Sequence, residues 1–378
     1  MRVAHVVHHY GHLSESFIPD ALEELERAGA EGWVATMSVE GRETYPFPPT
    51  ERLLVCPLPS LPRRALDRAR GRSGIERFAA QAAARLCPHA PAIVHAQFGW
   101  AAPTGVAVAR RLGVPAVATF HGTDVTVWQD RAGHPYRQAF DALDAAIAVS
   151  DFIADSLRRL RYGGPIEIIP AGVRLDRLPF RNGEPEGDPR ILYVGRLTAQ
   201  KGLAVLLRAM PRIVAAIPAV RLEVIGGGDE AARLERLATD LGIGDRVLFR
   251  GALRNRSAVF DGMRQAHVLA MPSRAMPDGQ AEGSPVVTKE AQAIGVAVVA
   301  TATGGIAETV PPEHRADLVP GDDPAALAAA VIALLGDPGL RRERARRARE
   351  WVASQFAAAQ LARRTVALYE RLGAGSAA

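Results

Sequence analysis

Short apolar runs alternate with longer amphipathic segments along the first half of the chain. The apolar runs predict strands at residues 2–7, 32–37, 93–96, 114–119 and 145–149. Between them, the helical spacing of apolar side chains predicts helices at residues 15–28, 75–86 and 105–112. Strands that alternate with helices are typical of a parallel sheet covered by helices on both faces.

A polar stretch rich in glycine and proline, residues 180–190, interrupts this pattern and predicts a linker between two domains. The alternation then restarts, and strands are predicted at residues 191–194, 221–225, 246–249, 268–271 and 297–300. Helices are predicted at residues 203–217, 231–241, 257–265 and 286–294. Asp323 followed by Pro324 predicts the start of another helix, because aspartate caps a helix and proline suits its first position.

The pattern as a whole predicts an α/β protein of two doubly wound, Rossmann-like domains. The first domain is predicted at residues 1–178 and the second at residues 179–354. A C-terminal helix at residues 355–378 is expected to pack back on the first domain.

Composition supports a folded chain and narrows its class. The chain has 378 residues, of which 48% are hydrophobic and 23% charged, and this balance excludes global disorder. Cys56 and Cys87 are too few for a disulfide framework and stand in no metal or redox spacing. Residues 1–10 lack a signal-peptide pattern, and the apolar stretch 325–335 is too short to cross a bilayer. We therefore expect a soluble, cytoplasmic protein.

The loops that follow the predicted strands of the second domain hold the candidate chemistry, because doubly wound sheets bind ligands beyond the carboxyl ends of their strands. These loops are residues 195–202, 226–229, 278–285 and 303–306. Arg196 and Lys201 lie on one of them and could neutralise a pyrophosphate, although two solvated surface cations are the alternative. The helix that starts near Ser284 and Pro285 could add backbone N–H groups.

Two glutamates, Glu282 and Glu290, flank the start of that helix at a spacing of eight residues. One lies in the loop and the other two turns inside the helix, so the pair could bracket a ligand and accept hydrogen bonds from sugar and ribose hydroxyls. The alternative is a partner for the helix dipole and an exposed helix glutamate.

Four segments together resemble the retaining glycosyltransferases of family 4, which have the GT-B fold. They are residues 195–202, the E-x7-E pair, residues 304–308, and Phe120-His121-Gly122-Thr123-Asp124. Residues 278–287 and 14–18 are similar to those of members that build bacterial exopolysaccharides. The resemblance implies two domains facing a central cleft, with the acceptor bound by the first and a nucleotide-sugar donor bound by the second.

The resemblance also implies roles for individual residues. The catalytic set would be His121, which reaches the donor sugar, Arg196 and Lys201, which hold the diphosphate, and Glu282, which contacts the transferred sugar. The donor-binding set would be Gly11, Gly195, Arg250, Gly283, Ser284, Pro285, Val286, Val287 and Glu290. The donor would be a UDP- or GDP-sugar acting as substrate, with no cofactor. The chain departs from the family where His12 follows Gly11 in place of a second glycine, which puts acceptor identity in doubt.

The predicted reaction needs no metal. Arg196, Lys201 and the helix dipole would stabilise the leaving diphosphate, and the chain contains no Asp-x-Asp, the motif of metal-dependent GT-A enzymes. The resemblance implies retention by front-face attack, with the leaving phosphate accepting the proton of the acceptor. A metal site built from His5, His8, His9 and His12 is an alternative, but in a strand His5 and His9 face away from His8, and no nearby carboxylate completes a ligand shell. A loop histidine that lines the acceptor cleft is the simpler interpretation.

Two other classes of enzyme would require motifs that this sequence lacks. The Gly-x-Gly-x-x-Gly of a dinucleotide-dependent oxidoreductase and the glycine spacing of a Walker loop are both absent from the sequence. A sugar-nucleotide epimerase of the same fold and a non-catalytic sugar-nucleotide-binding protein stay open.

The sequence also contains two clusters of basic residues. One comprises Arg63, Arg64, Arg68, Arg70 and Arg72, and the other lies at residues 341–349. Neither is interleaved with aromatic residues, so no nucleic-acid partner is predicted, and a solvated helix face is the simplest interpretation. If the acceptor is lipid-linked, the first cluster could instead give peripheral contact with the inner membrane.

Overall fold

The computed structural model of the protein describes residues 1–41, 44–45, 47–57, 73–129, 133–181 and 183–375. The chain folds into two compact units. The first unit is formed by Met1–Gly172 together with Ala358–Ala378, and the second by Val173–Ala357. The arginine cluster Arg63–Arg72 lies outside the described residues.

The described part of the first unit carries a parallel sheet of seven strands in the order β5-β3-β1-β6-β7-β8-β9. Its strands, with the short pair β2 and β4, are β1 Arg2–Val6, β2 His9–Tyr10, β3 Glu31–Thr36, β4 Ser38–Val39, β5 Leu53–Val55, β6 Ile93–Gln97, β7 Ala116–Phe120, β8 Ala145–Ala148 and β9 Ile166–Ile168. Every residue of β6, β7 and β8 is buried, as expected for strands covered on both faces. The strand order reverses between β1 and β6, so the switch point of this sheet lies there.

Among the described residues, helices on both sides of the strands cover the sheet of the first unit. They are Phe17–Arg27, Gly74–Leu86, Ala102–Leu112, Thr123–Thr126, Arg137–Phe140, Asp151–Arg159 and Ala358–Gly375. The C-terminal helix Ala358–Gly375 packs on Phe17–Arg27 and buries Leu361 and Tyr369 against Val3 and Ile93 of the sheet.

The second unit carries a parallel sheet of five described strands in the order β12-β11-β10-β13-β14. These are β10 Arg190–Val194, β11 Arg221–Ile225, β12 Val247–Phe249, β13 Val268–Met271 and β14 Ala297–Ala300. The helices are Leu203–Ala216, Ala231–Asp240, Arg256–Gln265, Val286–Ile294, Pro324–Gly336 and Pro338–Gln355. The side chain of Asp323 accepts from the backbone N–H groups of Ala325 and Ala326, which is the cap that the sequence predicts.

The predicted linker at residues 180–190 is wrong. The backbone N–H of Arg181 donates to the carbonyl of Ile294 at 2.8 Å, and its guanidinium donates to the carbonyl of Ala266 at 2.5 Å. Glu184 pairs with buried Arg341 at 2.9 Å. The polar groups of this stretch form hydrogen bonds and an ion pair within the second unit. Its composition, taken alone, resembles that of a solvated linker.

The unit limits also differ from the predicted 178 and 354. The backbone N–H of Val173 donates to the carbonyl of Phe356 at 2.8 Å, and Val173 forms a parallel bridge with Ala357. Residues 173–178 and 355–357 therefore belong to the second unit. The chain passes between the units after Gly172 and again after Ala357.

No single helix among the described residues combines the length and the apolar composition needed to span a bilayer. Two consecutive helices, Pro324–Gly336 and Pro338–Gln355, reach that length and apolar composition only when taken together, and the chain bends by 101° between them.

Candidate active site

Close backbone contact joins the first two loops of the second unit. The N–H of Gly195 donates to the carbonyl of Ile225 at 3.0 Å. A side chain at Gly226, where φ is +156°, would place its Cβ 1.8 Å from the carbonyl oxygen of Gly195. Only glycine allows this approach. The loops after β10 and β11 therefore form one surface at the carboxyl edge of the sheet.

Lys201 and Glu282, two predicted catalytic residues, meet in an ion pair. The Nζ of Lys201 lies 2.7 Å from Oε1 of Glu282, and the hydroxyl of Ser273 donates to the same oxygen at 2.9 Å. The side chains are 18% and 7% exposed. The charge of Lys201 is thus already balanced, and a ligand in this site would contact an ion pair. The sequence predicts two separate roles and misses both the pairing and Ser273.

Glycines of the fourth loop hold the backbone of Glu282. The N–H of Gly305 donates to the carbonyl of Glu282 at 2.8 Å. A Cβ at Gly304, whose φ is +56°, would lie 2.2 Å from the same carbonyl oxygen. The Gly304-Gly305 pair therefore fixes the position of Glu282.

Unlike Lys201, Arg196 is available to pair with a bound anion. Its side chain is exposed and makes no ion pair with any described residue. Its carbonyl accepts a hydrogen bond from the buried hydroxyl of Tyr193 at 3.0 Å. Burial raises the pKa of Tyr193, the charge of Glu282 raises it further, and that of Arg196 lowers it. Both charges thus act on the hydroxyl of Tyr193.

Glu290 lies inside the helix Val286–Ile294 and pairs with Arg256. The guanidinium of Arg256 donates to Oε1 of Glu290 at 2.6 Å, and the side chains are 19% and 10% exposed. Arg256 is the first residue of its own helix, which Asn255 caps. The sequence does not indicate a role for Arg256, because a separation of 34 residues from Glu290 gives no periodic signal.

The start of the helix Val286–Ile294 combines an uncapped end with a buried lysine. Its N-cap residue, Pro285, makes no side-chain cap hydrogen bond. Gly283 and Pro285 are buried, whereas Ser284, Val286 and Val287 are half-buried. The Nζ of buried Lys289 donates to the hydroxyl of Ser284 at 3.1 Å.

Arg250 lies on the loop after β12, beside the glycine loop. Its backbone N–H donates to the carbonyl of Val224, and the carbonyl of Gly251 accepts from Gly226 at 2.9 Å. The exposed guanidinium lies 3.8 Å from the carboxylate of Glu223. The structure therefore brings Arg250 to the same edge as Gly195, as the strand order requires.

In the first unit, Asp124 positions the backbone of His121. The buried carboxylate of Asp124 accepts from the N–H groups of Gly99 at 2.7 Å, Gly122 at 2.6 Å and His121 at 3.1 Å. Burial raises the pKa of Asp124, and these hydrogen bonds oppose the shift. The Nε2 of His121 lies 3.3 Å from Oε1 of Gln97. Asp124 belongs to a motif that the sequence indicates, but its role in positioning His121 is visible only in the structure.

The backbone conformation at position 11 requires a glycine. Its φ is +85°, and a Cβ would lie 2.0 Å from the carbonyl oxygen of Glu40. The loop of Gly11 therefore approaches residue 40 as only glycine permits.

The N-terminal histidines diverge. His5 is buried, His8 contacts Thr104 at 3.1 Å, His9 contacts Ser38 at 2.7 Å, and His12 contacts Ser14 at 2.9 Å. His8, His9 and His12 are explained by these polar neighbours, whereas both ring nitrogens of buried His5 lack a hydrogen-bond partner among the described residues. Among the described residues, no three His, Cys, Asp or Glu side chains are grouped as metal ligands would be.

Two family models match consecutive parts of the chain. The model for Glycosyltransferase Family 4 matches residues 14–177, and the model for glycosyl transferases group 1 matches residues 176–351.

Curated proteins are similar to this chain over about two thirds of their own length. The GDP-mannose-dependent alpha-(1-6)-phosphatidylinositol monomannoside mannosyltransferase of Mycolicibacterium smegmatis is 35% identical over 64% of this chain and 67% of its own. The putative colanic acid biosynthesis glycosyltransferase WcaL of Salmonella typhimurium is 34% identical over 69% of this chain and 66% of its own.

Solved structures share the fold across nearly the whole chain. Sucrose-phosphate synthase from Thermosynechococcus elongatus is 24% identical, with a TM-score of 0.77 over 99% of this chain and 100% of its own. Anabaena HepE in complex with UDP-glucose is 17% identical, with a TM-score of 0.76 over 98% of this chain and 100% of its own. The family models and the curated relatives favour a transferase over the epimerase alternative. The chain belongs to the family 4 glycosyltransferases and has the GT-B fold.

Proposed function

We propose that this enzyme is a retaining, metal-independent glycosyltransferase that moves a sugar from a UDP- or GDP-sugar to a glycan, a lipid-linked sugar or a small-molecule acceptor. The observation that carries the proposal is an exposed arginine, Arg196, on the same loop as Lys201, which pairs with buried Glu282 at the carboxyl edge of the second sheet. A pyrophosphate requires a converging positive charge, and a sugar requires fixed hydrogen-bond acceptors.

The donor class is supported by similar proteins. The mannosyltransferase of Mycolicibacterium smegmatis is described as GDP-mannose-dependent, and Anabaena HepE was solved with UDP-glucose. Both donors consist of a sugar on a nucleoside diphosphate. For this chain the shared chemistry is the diphosphate, which Arg196 and the uncapped helix start at Pro285 would bind.

The proposed mechanism assigns separate tasks to the paired and the unpaired charges. As the bond between the sugar and the diphosphate breaks, negative charge grows on the diphosphate, and Arg196 offsets it without a metal. Oε1 of Glu282 is engaged by Lys201 and Ser273, whereas Oε2 accepts no hydrogen bond from any described residue. That second oxygen would accept from a hydroxyl of the transferred sugar. His121 keeps its predicted role as a contact of the donor sugar.

Retention is proposed from the resemblance to family 4. The acceptor hydroxyl would attack on the face that the diphosphate leaves, and a phosphate oxygen would take its proton. Atoms balance without an enzyme nucleophile, since the new C–O bond replaces the old one and the proton leaves on the nucleoside diphosphate.

The biological setting is proposed from the same similarities. The name of WcaL places that protein in colanic acid biosynthesis, and we propose exopolysaccharide or glycoconjugate biosynthesis in the cytoplasm for this chain. Peripheral contact with the inner membrane through Arg63–Arg72 stays a prediction, because these residues lie outside the described ones.

The donor and the metal are tested together. The enzyme is incubated with UDP-, GDP- and ADP-sugars in excess EDTA, with water or saccharides as acceptors, and released nucleoside diphosphate is measured by chromatography. We expect release from a UDP- or GDP-sugar and no loss of activity in EDTA. The variant Glu282→Gln, which keeps the side-chain shape, is expected to be strongly impaired.

Two results would count against this proposal. Complete loss of release in EDTA that returns with magnesium or manganese would refute metal independence. Conversion of the donor sugar to its epimer without any release would identify an epimerase.

A further inference from the structure

An exposed tryptophan in the first unit lies on a second aromatic ring. Trp100 is 42% exposed, and its ring stacks on that of Phe98 with centroids 4.4 Å apart and planes 15° from parallel. Phe98 itself is 9% exposed. A large apolar ring is therefore held open to solvent and supported from beneath, which limits its conformational freedom before any ligand arrives.

The backbone under this pair is strained. Phe98 has φ +70° and ψ 149°, a conformation that non-glycine residues rarely adopt. The strain is maintained locally, because the N–H of Gly99 donates to Asp124 at 2.7 Å and the N–H of Ala101 donates to the carbonyl of Phe98 at 3.0 Å. Strained residues that the surrounding structure enforces are concentrated at functional sites.

The position in the sheet is that of a ligand site. Phe98 follows directly on β6, at its carboxyl end, and β6 neighbours β1 where the strand order reverses. Open parallel sheets bind ligands at this point. The ring of Phe98 also packs on His121, with centroids 4.5 Å apart, and His121 follows β7.

We propose that Phe98 and Trp100 form a stacking platform for a sugar ring of the acceptor. This inference rests on the proposed function and narrows its acceptor to a carbohydrate with an exposed ring. The C–H groups on one face of a pyranose make an apolar surface that matches a flat aromatic ring, whereas its hydroxyls point outward to polar partners. A supported, exposed indole provides such a flat surface.

The platform is tested with Trp100→Ala and the conservative Trp100→Phe. Ile75→Ala is the control, because Ile75 is also an exposed apolar side chain of the first unit, at 41% exposure. The probes are maltose, cellobiose and α-1,6-mannobiose, studied by saturation-transfer NMR and as acceptors in the transfer assay. Release of nucleoside diphosphate to water is measured on every variant.

We expect Trp100→Ala to raise the KM for the saccharide acceptor about tenfold, the loss expected for one aromatic contact. Saturation of the saccharide C–H protons should fall in parallel, with Trp100→Phe intermediate and Ile75→Ala unchanged. Release to water should stay within about twofold of wild type in Ile75→Ala, and in the Trp100 variants the KM for the saccharide should change by a larger factor than release to water.

Failures of the two proposals are distinguishable. If the wild type releases no nucleoside diphosphate from any donor, the proposed function fails. If release is normal and Trp100→Ala binds the saccharides as wild type does, the platform is refuted. Loss of association with anionic liposomes in Trp100→Ala, with saccharide binding unchanged, would instead identify a membrane contact and overturn the platform.

Discussion

Lys289 is a buried cation in the helix Val286–Ile294. Burial lowers its pKa to about 7, and the negative charge of Glu290 opposes the shift. Its Nζ donates to Ser284 and lies 5.0 Å from the centroid of the Phe356 ring. In the unfolded chain the same lysine keeps its proton until about pH 10.4. From about pH 7 upward the unfolded state therefore holds more protons than the folded one.

This difference predicts how stability depends on pH. The free energy of unfolding gains from Lys289 as pH rises above about 7, by at most about 1.4 kcal/mol per pH unit, and the contribution is constant below pH 7. Lys289→Met, which keeps the length of the side chain, should remove this rise and stabilise the fold at pH 7. Urea unfolding of both proteins between pH 6 and 9 measures the effect. Equal pH slopes for the two proteins would show that folding does not lower the pKa of Lys289.

The sequence predicts much of the site at the residue scale but not its pairings. Lys201, Glu282 and Glu290 stand out in the sequence, because of their position after predicted strands and the spacing of the two glutamates. The partners Lys201 and Glu282 are 81 residues apart, and Arg256 and Glu290 are 34 apart. Contacts at such separations depend on strand order, which periodicity does not report.

At the scale of elements, the C-terminal helix Ala358–Gly375 is anchored by a buried hydrogen bond. The hydroxyl of Tyr369 lies 2.5 Å from Nδ1 of His95 in β6, and the other ring nitrogen contacts Thr119 at 2.7 Å. Burial lowers the pKa of His95 to about 3, so its ring is neutral near pH 7. Without the tyrosine hydroxyl, a buried ring nitrogen would lose its partner.

Tyr369→Phe should therefore destabilise the protein by about 1–3 kcal/mol, the cost of an unsatisfied buried polar group. Tyr162→Phe is a matched control, because the buried hydroxyl of Tyr162 has no hydrogen-bond partner among the described residues. That substitution should be neutral or slightly stabilising. Denaturant midpoints of the two variants measure this difference. Equal destabilisation by both would mean that the hydrogen bond between Tyr369 and His95 contributes no stability.

Elements with clear periodicity are predicted closely. The strands at 221–225, 268–271 and 297–300 and the helix at 286–294 have the predicted limits, since apolar runs and glycine stops define them. The stretch 180–190 is the counterexample, because Arg181 binds carbonyl groups far along the chain. Polar composition alone does not distinguish such internal binding from solvation.

For the whole molecule, the GT-B class and family 4 follow from motifs distributed along the chain, and the family models confirm them. The motifs are informative together because each follows a strand, where loops of a parallel sheet converge. The proposed function then depends on one electrostatic role. In this proposal exposed Arg196, rather than a metal, offsets the charge of the leaving diphosphate.

Arg196→Ala tests this claim more cleanly than a change at Lys201. Removal of Lys201 would leave the buried carboxylate of Glu282 unpaired and could destabilise the fold by several kcal/mol, whereas Arg196 makes no ion pair with any described residue. Arg212→Ala is the matched control. Arg212 is an exposed arginine of the helix Leu203–Ala216, roughly 13 Å along that helix from its start at the donor loop.

The decisive measurement is the turnover number of these two variants with the donor that the wild type uses, in EDTA, after unchanged denaturant midpoints have shown intact folding. We predict that Arg196→Ala lowers turnover by about 10² or more, the effect of removing one preorganised charge at a developing anion. Arg212→Ala should match wild type. Turnover of folded Arg196→Ala close to that of wild type would contradict the account.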